Sequence, residues 1–215
     1  MENLIKTLIY IHAFFGGLGL TAGIVSILVR KGGKVHKLWG KIFSISIITS
    51  SLISLLIASF PGHENMFLFL IGIFTIYMVL AGNRALTLKA SIKTKADVID
   101  KSISYIMFVI AVLMLVLGII CFLKDNNLWK LYFFFGSIGL FMTYRDFKSF
   151  KKFPTNNKVA VVSHVGRMVG AFITSVTAFI VAGLSINNLV VWLLPTLLGI
   201  PYIIFWTRKM KTIKI

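Results

Sequence analysis

The sequence predicts an all-α integral membrane bundle of seven helices, and three observations predict it. Hydrophobic residues make up 58% of the chain and charged residues only 13%, a balance outside the range of ordinary soluble domains. Apolar segments about 20 residues long, enough to cross a hydrocarbon core about 30 Å thick, recur seven times along the sequence. Basic residues are gathered almost entirely in alternate loops, the signature of a chain oriented in a membrane.

The expected spans are 4–29, 38–60, 66–86, 103–123, 128–147, 159–183 and 189–206. Short loops (PGHEN, KDNN, LSINN) join them on one side and longer basic loops on the other. No soluble domain, low-complexity linker or internal repeat interrupts them, so residues 1–215 read as one membrane domain. The first apolar run, Leu8 to Val29, is too long for the core of a signal peptide, and no A-x-A cleavage pattern follows it. It reads as a retained transmembrane helix.

The formal net charge of +17 first suggests nucleic acid. Placement argues otherwise. Of the 23 basic residues only Lys6, Lys124 and Lys130 fall on one side. The other side carries Arg30, Lys31, Lys34, Lys37 and Lys41, then Arg84, Lys89, Lys93, Lys95 and Lys101. It continues with Arg145, Lys148, Lys151, Lys152, Lys158 and Arg167, and ends with Arg208, Lys209, Lys211 and Lys214. Positive loops stay in the cytoplasm, so the N-terminus is expected outside and the C-terminus inside, in a cell inner (plasma) membrane. The charges act as topology determinants, and nucleic acid is excluded as a partner. The single cysteine, Cys121, excludes an internal disulfide and any multi-cysteine metal site.

Helical spacing sorts the faces. His12, Gly16, Gly19, Gly23 and Ser26 share one stripe of the first helix. His36, Gly40, Ser50, Ser54 and Ala58 form a stripe on the second, and His164, Met168, Ala171, Ser175, Ala178 and Ala182 on the sixth. Small residues let helices approach closely in lipid, so these stripes are expected to face the bundle. The fourth helix has almost no polar or small face and reads as peripheral and lipid-exposed. In the seventh, Pro195 and Pro201 free carbonyls near Val191 and Leu197. They mark either a broken, movable helix lining a site or a packed kink satisfied locally.

Ionisable residues inside spans are functional candidates by default; for a lone histidine the competing reading is an imidazole hydrogen-bonded to a backbone carbonyl or serine across a helix interface. His12 lies about 6 Å inside the outer boundary and His164 about 8 Å inside the inner one. Across a core about 30 Å thick that separates them by roughly 16 Å in depth, too far to share one metal ion or the two faces of one haem. The inner helix ends present a denser set: His36, Arg84 (AGNRAL), Arg145 and Asp146 (TYRDF), and His164 with Arg167 (SHVGRM). Asp146 reads as the only acidic residue near a helix end on this side, ready to pair with Arg84, Arg145 or Arg167. The excess of positive charge disfavours a cation site and suits a lipid phosphate, a carboxylate or a haem propionate. The competing reading makes these basic residues headgroup anchors and no more.

No G-x-S-x-G, H-E-x-x-H or C-x-x-C pattern occurs, and Gly33 to Lys41 has the wrong spacing for a phosphate loop. The seventh helix has no central lysine for a retinal Schiff base. The segments HAFFGGLGLTAGIVSILVRKGGKVHKLWGKIF, IYMVLAGNRAL, HVGRMVGAFITSVTAFIVAG and VVWLLPTLLGIPYIIFWTRK resemble a family of bacterial predicted membrane proteins catalogued as a domain of unknown function. The resemblance implies a multi-helix inner-membrane fold and supplies no reaction.

Three functions follow as expectations. The first is a membrane protein that binds or transports a small anionic molecule or lipid through His36, Arg84, Arg145, His164 and Arg167, with Asp146 balancing or gating the cluster. The second is a b-type haem or quinone-linked electron-transfer protein with His12 or His164 as an axial ligand. The third is a non-catalytic partner or assembly protein whose small-residue faces serve packing. None assigns a catalytic residue, and outside the haem alternative none assigns a metal ligand.

Overall fold

Each of the seven apolar segments is a helix in the computed structural model, which describes residues 2–88, 95–151, 157–186 and 188–212. The helices are α1 (Glu2–Leu28), α2 (Lys34–Ile57), α3 (Met66–Ala85), α4 (Val98–Leu123), α5 (Trp129–Lys151), α6 (Asn157–Ala178) and α7 (Leu189–Thr212). A π-helical turn, Phe179–Gly183, extends α6, and no strand occurs among the described residues. Lys89, Lys93, Lys152 and Lys214, expected as topology determinants, lie outside the described residues.

Six of the seven helices are long and apolar enough to cross a membrane; α5 is the exception. Its uncharged stretch runs only from Leu131 to Tyr144, about 21 Å at 1.5 Å per residue. Lys130 bounds that stretch at one end, with Arg145 and Asp146 at the other.

The chain forms two compact units. The first comprises Met1–Val79 and Val169–Ile200, the second Leu80–Met168 and Pro201–Ile215. In the first unit, α1 and α2 are an antiparallel hairpin, and the small-residue stripe of α1 lies against α2 as its spacing predicts. Gly19 and Gly23 are buried. A Cβ on Gly19 would stand 2.5 Å from Ile47 Cδ1, and one on Gly23 would stand 2.5 Å from Phe172 Cδ2 and 3.2 Å from Phe43 Cδ2. Close approach of this kind is how helices associate where no hydrophobic effect drives them together.

In the second unit, α4 and α5 form a second antiparallel hairpin, and here the expectation of a featureless α4 is corrected. Asp100, Ser104, Met107, Ala111, Met114 and Gly118 are buried along one line of α4. They match Tyr132, Phe135, Gly136, Gly139, Thr143 and Asp146 on α5. A Cβ on Gly136 would lie 3.2 Å from the carbonyl oxygen of Ala111, and one on Gly118 3.2 Å from Tyr132 Cβ. The stripe is one residue wide at each turn, and the surrounding apolar residues hide it in the sequence. The other face of α4 is exposed, from Val98 and Tyr105 to Leu123.

On α6 the buried line passes through Ala160, Arg167, Ala171 and Thr174. It shares only Ala171 with the expected small-residue stripe, because Arg167 occupies the buried face. The helix α7 runs unbroken through Pro195 and Pro201, so the broken-helix reading of PTLLGIP is corrected to a continuous helix.

Candidate functional site

Electrostatics organises the second unit from its helix ends inward. Asp97 caps α4: its carboxylate accepts from the Asp100 N–H at 2.9 Å, and the Asp100 carboxylate accepts from the Asp97 N–H at 3.1 Å. This reciprocal capping box fixes both acids at the start of α4. Arg84, in the last turn of α3, closes on the pair, Nη2 to Asp97 at 2.6 Å and Nε to Asp100 at 2.5 Å. Asp100 is 4% exposed, a burial that a carboxylate sustains only when paired.

One turn along α4 from Asp100, the Ser104 hydroxyl donates to Asp146 Oδ2 at 2.9 Å. Arg167 Nη2 donates to Asp146 Oδ1, and Arg167 Nε donates to Ser163 Oγ at 3.2 Å. Ser104, Asp146 and Arg167 are 2%, 8% and 4% exposed. They form a buried chain from α4 through α5 to α6. His164, one turn before Arg167, donates from Nδ1 to the carbonyl oxygen of Gly82 at 2.9 Å. Gly82 also lets α3 approach α6 closely: a Cβ there would meet Met168 Sδ at 2.8 Å and Arg167 Cβ at 3.1 Å.

The expected cluster is thus partly assembled and differently charged. Arg84, Asp146, His164 and Arg167 all lie in the second unit, with Asp146 paired to Arg167. Arg145 is exposed and stands over the Phe141 ring, 5.7 Å from its centroid. Asp146 is not the only acid near these helix ends: Asp97 and Asp100 match Arg84, so the assumed excess of positive charge gives way to paired charges. The D-V-I-D spacing of a capping box before an apolar run was the sequence signal for them. For Ser104 the signal was its place one turn after Asp100, and nothing local marked its contact with Asp146.

His36 belongs to the first unit. Its Nδ1 donates to the carbonyl oxygen of Ser26 at 3.1 Å, tying the start of α2 to the last turn of α1. Lys31 caps the same turn: Nζ donates to the carbonyls of Ser26 at 3.0 Å, Val29 at 3.3 Å and Ile27. Partial burial pulls the Lys31 ammonium below its ordinary pKa. Between them, Gly32 turns the chain at φ 77°. His12 makes the equivalent tie higher on the hairpin, Nδ1 to the Ser50 carbonyl at 2.9 Å, while the Ser50 hydroxyl donates to the His12 carbonyl at 3.0 Å.

Carbonyl oxygens only accept. In all three of these histidines Nδ1 therefore carries the proton, and a neutral ring keeps the lone pair on Nε2. No group of three or more His, Cys, Asp or Glu residues suited to a metal ion occurs among the described residues.

Fold and site together define an all-helical chain, compatible with a membrane protein, that carries two ion-paired clusters in one unit. Against protein-family models, curated proteins and solved structures, no match to this chain is found.

Proposed function

We propose that the protein is a multi-pass membrane protein that binds a small anion, or the anionic headgroup of a lipid, through Arg167. The carboxylate of Asp146 holds the guanidinium in the absence of ligand. The buried Arg167–Asp146 pair carries this reading. Ionisable groups within membrane helices are costly and mark binding or transport sites, and arginine is the side chain best matched to carboxylate and phosphate. His164 and Ser163 supply polar neighbours, and the Arg84 clamp fixes the adjoining end of α4. All seven helices span, with the N-terminus outside and the C-terminus in the cytoplasm.

The test is thermal unfolding of the purified protein in zwitterionic nanodiscs, with sulfate, succinate or phosphatidylglycerol added. Sulfate and succinate report a soluble ligand, phosphatidylglycerol a lipid headgroup. One of them should raise the unfolding temperature of the wild type and leave unchanged the double variant Arg167→Gln/Asp146→Asn, which removes both charges together. Equal stabilisation of both proteins would place the anion elsewhere.

A second reading, a haem b protein with His12 as axial ligand, is favoured by the Nδ1–H bond to Ser50 that leaves Nε2 as the ligating atom. A Soret band lost in His12→Ala would support it, and a colourless protein purified from haem-replete cells would end it.

A further inference from the structure

The two oxygens of Asp146 are engaged in different ways. Oδ1 takes the guanidinium of Arg167, and Oδ2 takes the hydroxyl hydrogen of Ser104 at 2.9 Å. We infer that Asp146 is the proton-binding group of the anion site, so that one proton enters with each anion bound. The inference rests on the anion reading of Arg167 given above.

Charge balance in a buried site requires the coupling. At rest, Arg167 and Asp146 sum to zero. An anion entering alone would draw Arg167 away from the buried Asp146 carboxylate. A proton entering alone would take the Asp146 charge away from the buried Arg167 guanidinium. Either step weakens the compensation of a charge held away from water, which is costly for a buried pair. When both enter, neutral Asp146 releases Arg167, the anion takes its place, and the sum returns to zero. The proton is bound from solution onto an Asp146 oxygen and returns to solution when the anion leaves; no covalent bond to the ligand forms.

Ser104 allows the exchange without loss of a hydrogen bond. A hydroxyl both donates and accepts, so Ser104 donates to the charged carboxylate and accepts from the neutral carboxylic acid. The neighbouring charges leave this role to Asp146. Arg84 is engaged with Asp97 and Asp100 at the head of α4. Lys101 and Arg145 are exposed. His164 donates Nδ1–H to the Gly82 carbonyl and keeps a basic Nε2, so the test includes the variant His164→Gln.

The experiment is calorimetric titration of the full-length protein in zwitterionic nanodiscs at pH 5.5 and 7.5, in buffers of different ionisation enthalpy. The probes are methanesulfonate, a singly charged anion, and, in a separate arm, phosphatidylglycerol, neither of which titrates in this range. Full uptake of one proton per anion weakens binding about tenfold for each rise of one pH unit. The wild type should take up one proton per bound anion and bind more weakly at pH 7.5. Asp146→Asn should bind equally at both pH values with no proton taken up. Should Asp146→Asn not fold, His164→Gln decides: one proton taken up per bound anion in that variant keeps the proton on Asp146, and none assigns it to His164 and overturns the inference. Binding of equal strength at both pH values without proton uptake would overturn the coupling and leave the anion site in place. No binding of either probe by the wild type at either pH would overturn the anion site itself.

Discussion

Two aspartates hold Arg84, and their surroundings give them different weight. The Asp97 side chain is 48% exposed and that of Asp100 2%. Arg84→Ala leaves Asp100 in a low-dielectric setting without its cation, and should lower stability by about 3 kcal/mol, the lower end for a broken buried pair. Asp97→Ala keeps the Arg84–Asp100 bond and removes a helix cap, a loss of about 1 kcal/mol. Chemical denaturation in detergent should show the first variant unfolding well before the second; equal midpoints would mean that the Arg84–Asp100 pair adds nothing beyond the cap. Gly82 offers a steric counterpart. Gly82→Ala drives a methyl against Met168 Sδ and Arg167 Cβ, an overpacking worth about 1–3 kcal/mol, and Met168→Ala in the same chain should recover part of it. At this scale the D-V-I-D capping box was a local signal, yet no acid but Asp146 was expected near these helix ends. The sequence was illegible where partners are brought together by folding. Periodicity puts Arg167 and Asp146 each on a face of its own helix, but it does not say which faces meet. The histidines divide the same way: their depth could be counted from the span boundaries, whereas their bonds to Ser26, Ser50 and Gly82 carbonyls depend on neighbouring helices.

Helices and hairpins were more legible than pairs, because a bilayer demands one long apolar run per crossing and turn residues between them. Helices α1 to α7 occupy the seven expected segments, with polar residues extending the starts of α2 and α4 beyond the apolar run and α2 ending at Ile57, short of the expected 60. On α4 the apolar run begins near Ile103 while the helix begins at Val98, since the Asp97 cap and Asp100 start it earlier. What escaped notice was a packing stripe one residue wide inside a uniformly apolar helix, because Met and Ala among Val, Ile and Leu do not stand out by hydropathy. Within α1 the packing distances separate glycines that the sequence treats alike. A Cβ on Gly17 would meet nothing within 4 Å, whereas one on Gly19 would meet Ile47 Cδ1 at 2.5 Å. Gly17→Ala should therefore be neutral or stabilising by up to about 1 kcal/mol, through the restricted unfolded chain. Gly19→Ala should be destabilising by about 1–3 kcal/mol as the α1–α2 hairpin is pried apart. Thermal melts of the two single variants check the contrast, and equal melting temperatures would show that Ile47 repacks without strain.

At the scale of the whole molecule the open quantity is the number of crossings, and α5 decides it. Its uncharged stretch of about 21 Å is shorter than a hydrocarbon core about 30 Å thick, which taken alone argues for six crossings. The charges at its ends point the other way. In the proposed crossing Lys130 and Arg145 would extend their aliphatic stems toward the two headgroup layers, and Asp146 would enter the membrane already paired with Arg167. If α5 did not cross, the loop after it, with Lys148, Lys151, Lys152 and Lys158 on or around it, would lie on the same side as Asn126. The strongest charge asymmetry in the chain would then be reversed against the positive-inside rule. The proposed seven crossings would keep these lysines in the cytoplasm, and the lysine positions favour that proposal over six crossings. The expected outcome is specific. In a Cys121→Ser background, an impermeant thiol reagent applied to intact cells should label Asn126→Cys and leave Lys158→Cys unlabelled until the membrane is opened. Labelling of both in intact cells, or of neither, would place the two positions on one side and reduce the crossings to six. The same result would move Lys158 relative to Lys34, so Lys34→Cys serves as the reference: with seven crossings it labels together with Lys158→Cys, and with six it does not.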